Sequence, residues 1–297
     1  MKTIVTLAAM RIRITTRNKA FLFFSLIMPM VFFFLYGSVF AKGNVQAVTF
    51  LMGPVLSLTV MGTFWGLSMQ LVSWREQGIL RRFRLAPISP ASMIASSVIA
   101  NYVLILPTVF LQLFLARYIY HVTAFGNWIT LFVFVILGIT CFGALGLIVA
   151  SVTNTMQETQ IINQLLWFSF LFLSGATVPL SVLPVVVQRI GLFLPATYLV
   201  SGIQRAMVYN QAVWFLSVEI ISLVAWGALA FFISSVLFRW EPEAKLPRNA
   251  KLWAVATILP FLLLGIWENH NGKVLATAAS MLSGRATENA PPPDKIK

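Results

Sequence analysis

The chain has 297 residues, 59% hydrophobic and 10% charged, with a mean hydropathy of +0.87; soluble domains run near 45–50% apolar and about 25% charged, so a soluble globular protein is excluded. Basic residues outnumber acidic ones 21 to 8, and Asp294 is the lone aspartate, which leaves nothing for a buried Asp pair, a Walker-B aspartate or an acidic metal cage. The net charge of +13 does not mark a nucleic-acid binder, because Lys and Arg separate long apolar runs instead of coating one face.

From Met1 to Lys19, Ile4, Val5, Ala8 and Ile12 share one helical face with Arg13 and Arg17 roughly opposite, while Arg11 and Lys19 break the pattern. A helix lying on anionic headgroups is expected here, ahead of a plain basic tail. Lys19 to Lys42 then encloses 22 uncharged residues. That exceeds the ~7–15 apolar residues of a signal peptide, so an uncleaved membrane span is expected. A bilayer core of ~30 Å needs about 20 apolar residues in a helix. The charge-free runs meet that requirement six times, at 20–41, 47–72, 91–117, 128–150, 159–178 and 213–238. With the N-terminus inside, the inner segments carry Lys2, Arg11, Arg13, Arg17 and Lys19, then Arg75, Arg81, Arg82 and Arg84, then Arg239, Lys245, Arg248 and Lys251. The outer loops carry Lys42, Arg117, Arg189 and Arg205. The excess of Lys and Arg places the N-terminus in the cytoplasm.

The inner loop between the second and third spans runs from Ser73 to Pro90. Ile79 and Phe83 are i and i+4 neighbours with Leu80 beside them, and Arg81, Arg82 and Arg84 flank that face, which suits a short amphipathic helix ended by Pro87. Composition alone supports a solvated basic loop and a partner-docking helix equally. Ser89 and Pro90 then supply an N-cap and a first helical position for the third span. In the fourth span Gly138, Gly143 and Gly146 allow close helix approach, and Cys141 is expected to pack. Ser174 to Gln211 is mostly apolar but broken at Gly175, Pro179, Pro184, Gly191 and Pro195, so it fits two short helices dipping into the membrane from outside, not one full span.

Glu219 is the main candidate for a charge inside the membrane, expensive there without a partner such as Arg205. A structural pairing or interfacial position is favoured over a substrate contact. His121 and His270 are far from any second ligand, so no zinc site is expected. After Arg239 the character changes. Leu252–Trp267 is uncharged but contains Pro260 and is about 24 Å long as a helix, so it falls between a thin seventh span and a surface helix. Placing the basic residues of the tail outside runs against the charge rule, which favours the surface helix. The tail to Lys297 has too little apolar area to fold.

The inner-loop pattern Arg75-Glu76-x-Gly78-x-Leu80-x-Arg82-x-Arg84-x-x-Pro87-x-Ser89-Pro90 recurs with Phe172-x-Ser174-Gly175-x-x-x-Pro179-x-x-x-Leu183-Pro184, Pro195-x-x-Tyr198 and Arg205. Together they resemble the type-2 permeases of ATP-binding-cassette (ABC) exporters over roughly residues 1–240. The resemblance implies an all-α polytopic membrane protein with six transmembrane helices and an N-terminal interface helix. It implies a cytoplasmic coupling helix at Trp74 to Leu85 that docks an ATPase, with Trp74, Arg75, Glu76, Ile79, Leu80, Arg82 and Phe83 as its docking residues. It also implies re-entrant outer helices marked by Pro179, Pro184, Pro195, Tyr198 and Arg205. No G-x-x-x-x-G-K-[ST] occurs, so ATP and Mg are expected on a partner ATPase, with no cofactor and no catalytic residue in this chain. The expected protein is an export permease of the cytoplasmic (inner) membrane that pairs with a second permease and contacts lipids, not nucleic acid. Its expected domains are a permease unit at 1–240 and an extension at 241–297. An ion-driven transporter or channel is the competing expectation, and it calls for several acidic or His residues within spans.

Overall fold

A computed structural model describes residues 2–17, 19–42, 44–80, 90–237 and 265–270. Among these every regular element is helical. Helix α1 (Lys2–Arg17) leads into α2 (Lys19–Phe34), which contains Pro29 and continues as a π-helical segment, Leu35–Phe40. Asn44 then accepts bonds from the Gln46 and Ala47 amides and starts α3 (Val45–Met61). After Gly62 the chain runs on as α4 (Thr63–Glu76), so that Val45–Glu76 forms one apolar unit of 32 residues. Helix α5 (Pro90–Ile119) begins at a proline, where the missing N–H costs nothing. Asn127 caps α6 (Trp128–Val152) and Thr155 caps α7 (Met156–Leu173). Two short helices follow, α8 (Val185–Gly191) and α9 (Pro195–Val208), bent by 95° to each other. Helix α10 (Ser217–Leu237) completes the bundle, and residues 265–270 form a last helical turn and a half.

Four helical units are long and apolar enough to cross a membrane: Val45–Glu76, Ala95–Ile119, Trp128–Val152 and Val213–Leu237, or five if the bent α8–α9 pair counts as one. Ile27–Phe40 is a shorter apolar helix. Helix α7 is not among the four, because Gln157, Glu158, Gln160, Asn163 and Gln164 fill its first two turns.

Helix α6 is the hub and touches α3, α4, α5, α9 and α10. Little hydrophobic force draws helices together in lipid, so close packing must do it. At Gly146 a Cβ would come within 2.4 Å of the Phe64 carbonyl, and glycine lets α4 and α6 meet backbone to backbone. The large apolar core runs from Phe33 and Val60 through Phe134, Phe142 and Leu199 to Leu223. A second cluster, with Leu7, Leu67, Leu71, Trp74, Leu80 and Leu147, closes the end of the bundle that carries α1. We call this the basic end, after Arg11, Arg13, Arg17 and Arg75. Outward faces stay apolar: Ile161, Leu165, Phe168 and Phe172 recur at helical spacing along α7, each 47% or more exposed. Only a non-aqueous neighbour makes such a stripe favourable.

The face of α1 differs from the expected one. Val5 is exposed, and the inward stripe is Leu7, Ala8, Arg11 and Thr15, packed toward α5. Arg11, the residue that broke the apolar pattern, turns inward because Trp74 offers its ring 5.3 Å from the guanidinium and Ser97 accepts its N–H.

Candidate functional site

At the basic end, α4 terminates in a set of charge-to-backbone bonds. Arg75 is buried and donates to the Thr153 carbonyl at 2.9 Å, while Glu76, exposed, accepts the Met156 amide at 2.8 Å. Together they bracket the turn between α6 and α7. That turn is braced from within: Thr155 accepts the Glu158 amide, Glu158 accepts the Asn154 amide, and Thr159 donates to the Thr153 hydroxyl at 2.8 Å. Thr155-x-x-Glu158 is a capping-box spacing. One turn deeper, Ser68 on α4 and Asn163 on α7 exchange hydrogen bonds at 2.8 and 3.1 Å.

After α4 the chain turns at Gly78, whose φ of 69° is one that side chains resist. Ile79 is half-buried and Leu80 is wholly enclosed in the lower apolar cluster with Trp74. Leu80 and Trp74 therefore hold the loop onto the bundle, and their side chains are not on a surface. Arg82, Phe83 and the rest of the expected docking helix lie outside the described residues, as does Ser89. Arg11 stands over Trp74 on the same junction. Burial draws its guanidinium down to about 9, so it stays protonated at neutral pH.

At the opposite end the prolines do what their spacing implied. Pro179 precedes a short 3-10 turn, Pro184 sits just before α8 and Pro195 is the first residue of α9. Tyr198 reaches back over the bend and donates to the Leu192 carbonyl at 2.7 Å, and Gly191 lies so close to α7 that a Cβ would meet the Leu173 carbonyl at 2.4 Å. Arg205 and Glu219 form an ion pair between α9 and α10, the carboxylate buried and the guanidinium partly so. Ser201 donates to the same carboxylate at 3.1 Å, and Arg205 also reaches the Gln211 side chain at 2.8 Å and the Phe215 carbonyl at 3.3 Å. A cavity of about 30 Å³ lies beside the bend, lined by Ser174, Gly175, Thr197, Ser201 and Gln204.

Long apolar helices, glycine-mediated contacts and apolar outward faces define a multi-pass membrane protein. The pattern of the ABC-2 type transporter family matches residues 3–208, which takes in every helix from α1 to α9, and the chain belongs to that family of membrane transport permeases. It is similar to a protein of Bacillus subtilis (strain 168) named "Putative transport permease YvfS", with 27% identity over 237 residues, 77% of this chain and 93% of the relative.

Proposed function

We propose that the chain is the membrane subunit of an ATP-driven exporter. It carries a substrate out across the cytoplasmic membrane, through a path shared with a second permease and powered by a separate ATPase. Family membership over residues 3–208 carries this proposal. It is joined by the lack of any phosphate-binding loop or usable Walker-B aspartate in the sequence. An open apolar groove of about 590 Å³ along α2, lined by Ile27, Val31, Phe34 and Val39, offers room for a neighbouring helix.

In this scheme the six crossings are α2, α3–α4, α5, α6, α7 and α10, the basic end faces the cytoplasm, α1 lies at the headgroups, and α8–α9 form the re-entrant outer pair. ATP shifts the permease only by favouring one of its two states over the other. The lever for that difference is the segment after Gly78, with Ile79, Arg82 and Phe83 toward the ATPase and Leu80 and Trp74 anchored inward. Arg75 and Glu76 tie the same lever to the start of α7. The test is to purify the chain from its own host with whatever it holds, and to assay ATP hydrolysis and vesicle uptake. Hydrolysis-driven movement of cargo supports the proposal. Movement that needs no nucleotide and collapses with a protonophore overturns it.

A further inference from the structure

Of the arginines at the basic end, Arg13 and Arg17 are exposed on α1 and Arg75 donates to the Thr153 carbonyl. Arg11 is placed differently. Its side chain is 2% exposed, at the junction of α1 with α5 and the end of α4. A guanidinium carries five N–H donors in a planar fork. Nη1 donates to the Ser97 hydroxyl, which in turn donates to the Met93 carbonyl, and the guanidinium carbon stands 5.3 Å from the centre of the Trp74 ring. Nε and Nη2 are enclosed and have no hydrogen-bond partner.

These two nitrogens form one edge of the group, and parallel N–H bonds from that edge match two oxygens of a carboxylate or phosphate. No carboxylate of the described residues takes that place. Glu76 holds the Met156 amide, Glu158 the Asn154 amide, and Glu219 and Glu268 stand beside Tyr198 at the opposite end. Burial alone acts on the Arg11 pKa, and at about 9 the group keeps its charge at neutral pH. A water could satisfy one N–H, but only an anion offsets the charge. The outer side of α1 indicates which anion. Val5 and Ile14 are exposed alongside Arg13 and Arg17, a mixture of apolar and basic side chains suited to a bilayer surface rich in phosphate.

We infer that Arg11 is a phosphate-binding residue, its Nε and Nη2 taking two oxygens of a phosphate group that comes either from an anionic phospholipid of the leaflet on which α1 lies or from free phosphate. The edge is closed over in this structure, so the anion enters as α1 draws back from α5. Occupancy therefore favours the withdrawn position of α1 over the packed one. In that position Arg11 leaves Trp74, which shares its apolar cluster with Leu80, so the anion acts at the root of the segment after Gly78. The lipid source rests on the proposed placing of α1 at the headgroups, whereas the phosphate chemistry rests on the geometry at Arg11.

The test uses the purified full chain in an uncharged detergent. Phosphatidylglycerol, inorganic phosphate or diacylglycerol, which has no phosphate, is titrated in, and the apparent affinity is read from the saturating rise in Tm. Phosphatidylglycerol is expected to raise Tm and diacylglycerol to leave it unchanged. Arg11→Lys, which keeps the charge and loses the fork, and Arg11→Gln should each weaken the affinity about tenfold or more. Arg13→Gln combined with Arg17→Gln should weaken it less. Each variant is referred to its own ligand-free Tm, so a change in basal stability does not imitate a loss of binding. A rise with phosphatidylglycerol alone assigns the site to the headgroup, and a rise with phosphate alone assigns it to the free anion and overturns the lipid source. Arg11→Lys and Arg11→Gln binding as tightly as the parent, or no rise with either phosphate compound, overturns the inference. The assay needs no ATPase, so failure of the export proposal does not touch it.

Discussion

The two ends of the bundle hold their charged groups in different ways. At the end opposite α1 charge meets charge: Arg205 and Glu219 join α9 to α10, and Ser201 and Gln211 complete the set. At the basic end charge meets neutral groups, with Arg75 on a carbonyl, Glu76 on an amide and Arg11 over an indole. An ion pair whose carboxylate is fully enclosed cannot separate without stranding that charge. A single bond from an exposed carboxylate to a loop amide exchanges readily with water. The difference is one end closed around the bend by an ion pair and another that finishes in an exposed carboxylate bond.

The largest effect is expected from breaking the ion pair. Arg205→Ala leaves the enclosed Glu219 carboxylate without its cation and should cost about 3–5 kcal/mol in detergent unfolding, while Glu219→Leu combined with Arg205→Leu should recover most of it. A single variant as stable as the parent would remove the contrast between the ends. Next comes Leu80→Ala, expected to lose about 2–5 kcal/mol because the side chain is fully enclosed, whereas Ile79→Ala should lose less by the same assay. Equal losses would mean that both residues serve packing alone.

Gly126 sharpens the closed end. Its φ is 61° and a Cβ would meet the Ala206 carbonyl at 2.1 Å, so Gly126→Ala should destabilise by about 1–3 kcal/mol, read as a lower Tm. Glu76→Gln should change stability least, within about 0.5 kcal/mol, because the amide oxygen still accepts from Met156. A large fall in its Tm would erase the contrast from the basic end.

Much of the architecture was legible in the sequence because it depends on local chemistry. Runs without charge located the helices to within a few residues, the prolines at 184 and 195 marked α8 and α9, and the expense of a carboxylate in lipid pointed from Glu219 to Arg205. The rest needed partners distant in the chain. Arg11 looked like a flaw in an amphipathic face because Trp74 and Ser97, which receive it, are far off in sequence. Leu80 looked like part of an exposed stripe, since helical spacing shows which residues share a face and not which way that face turns. The Thr155–Glu158 capping box is local chemistry, a Thr three residues ahead of a Glu. Most of Leu252–Trp267 and the tail lie outside the described residues, and the bond from Asn269 to the Arg189 carbonyl on α8 had no local signal.

The most direct test of the central claim, that this permease is driven through the segment after α4, is ATP hydrolysis by complexes affinity-purified from the native host. The comparison is between the parent chain and Phe83→Asp at equal expression, with Leu80 kept so that the bundle stays intact. Nucleotide hydrolysis that co-purifies with the parent and is lost with Phe83→Asp, at unchanged Tm of the membrane subunit, is the expected result. Hydrolysis retained in full by the variant, or absent from intact complexes of the parent, would contradict it.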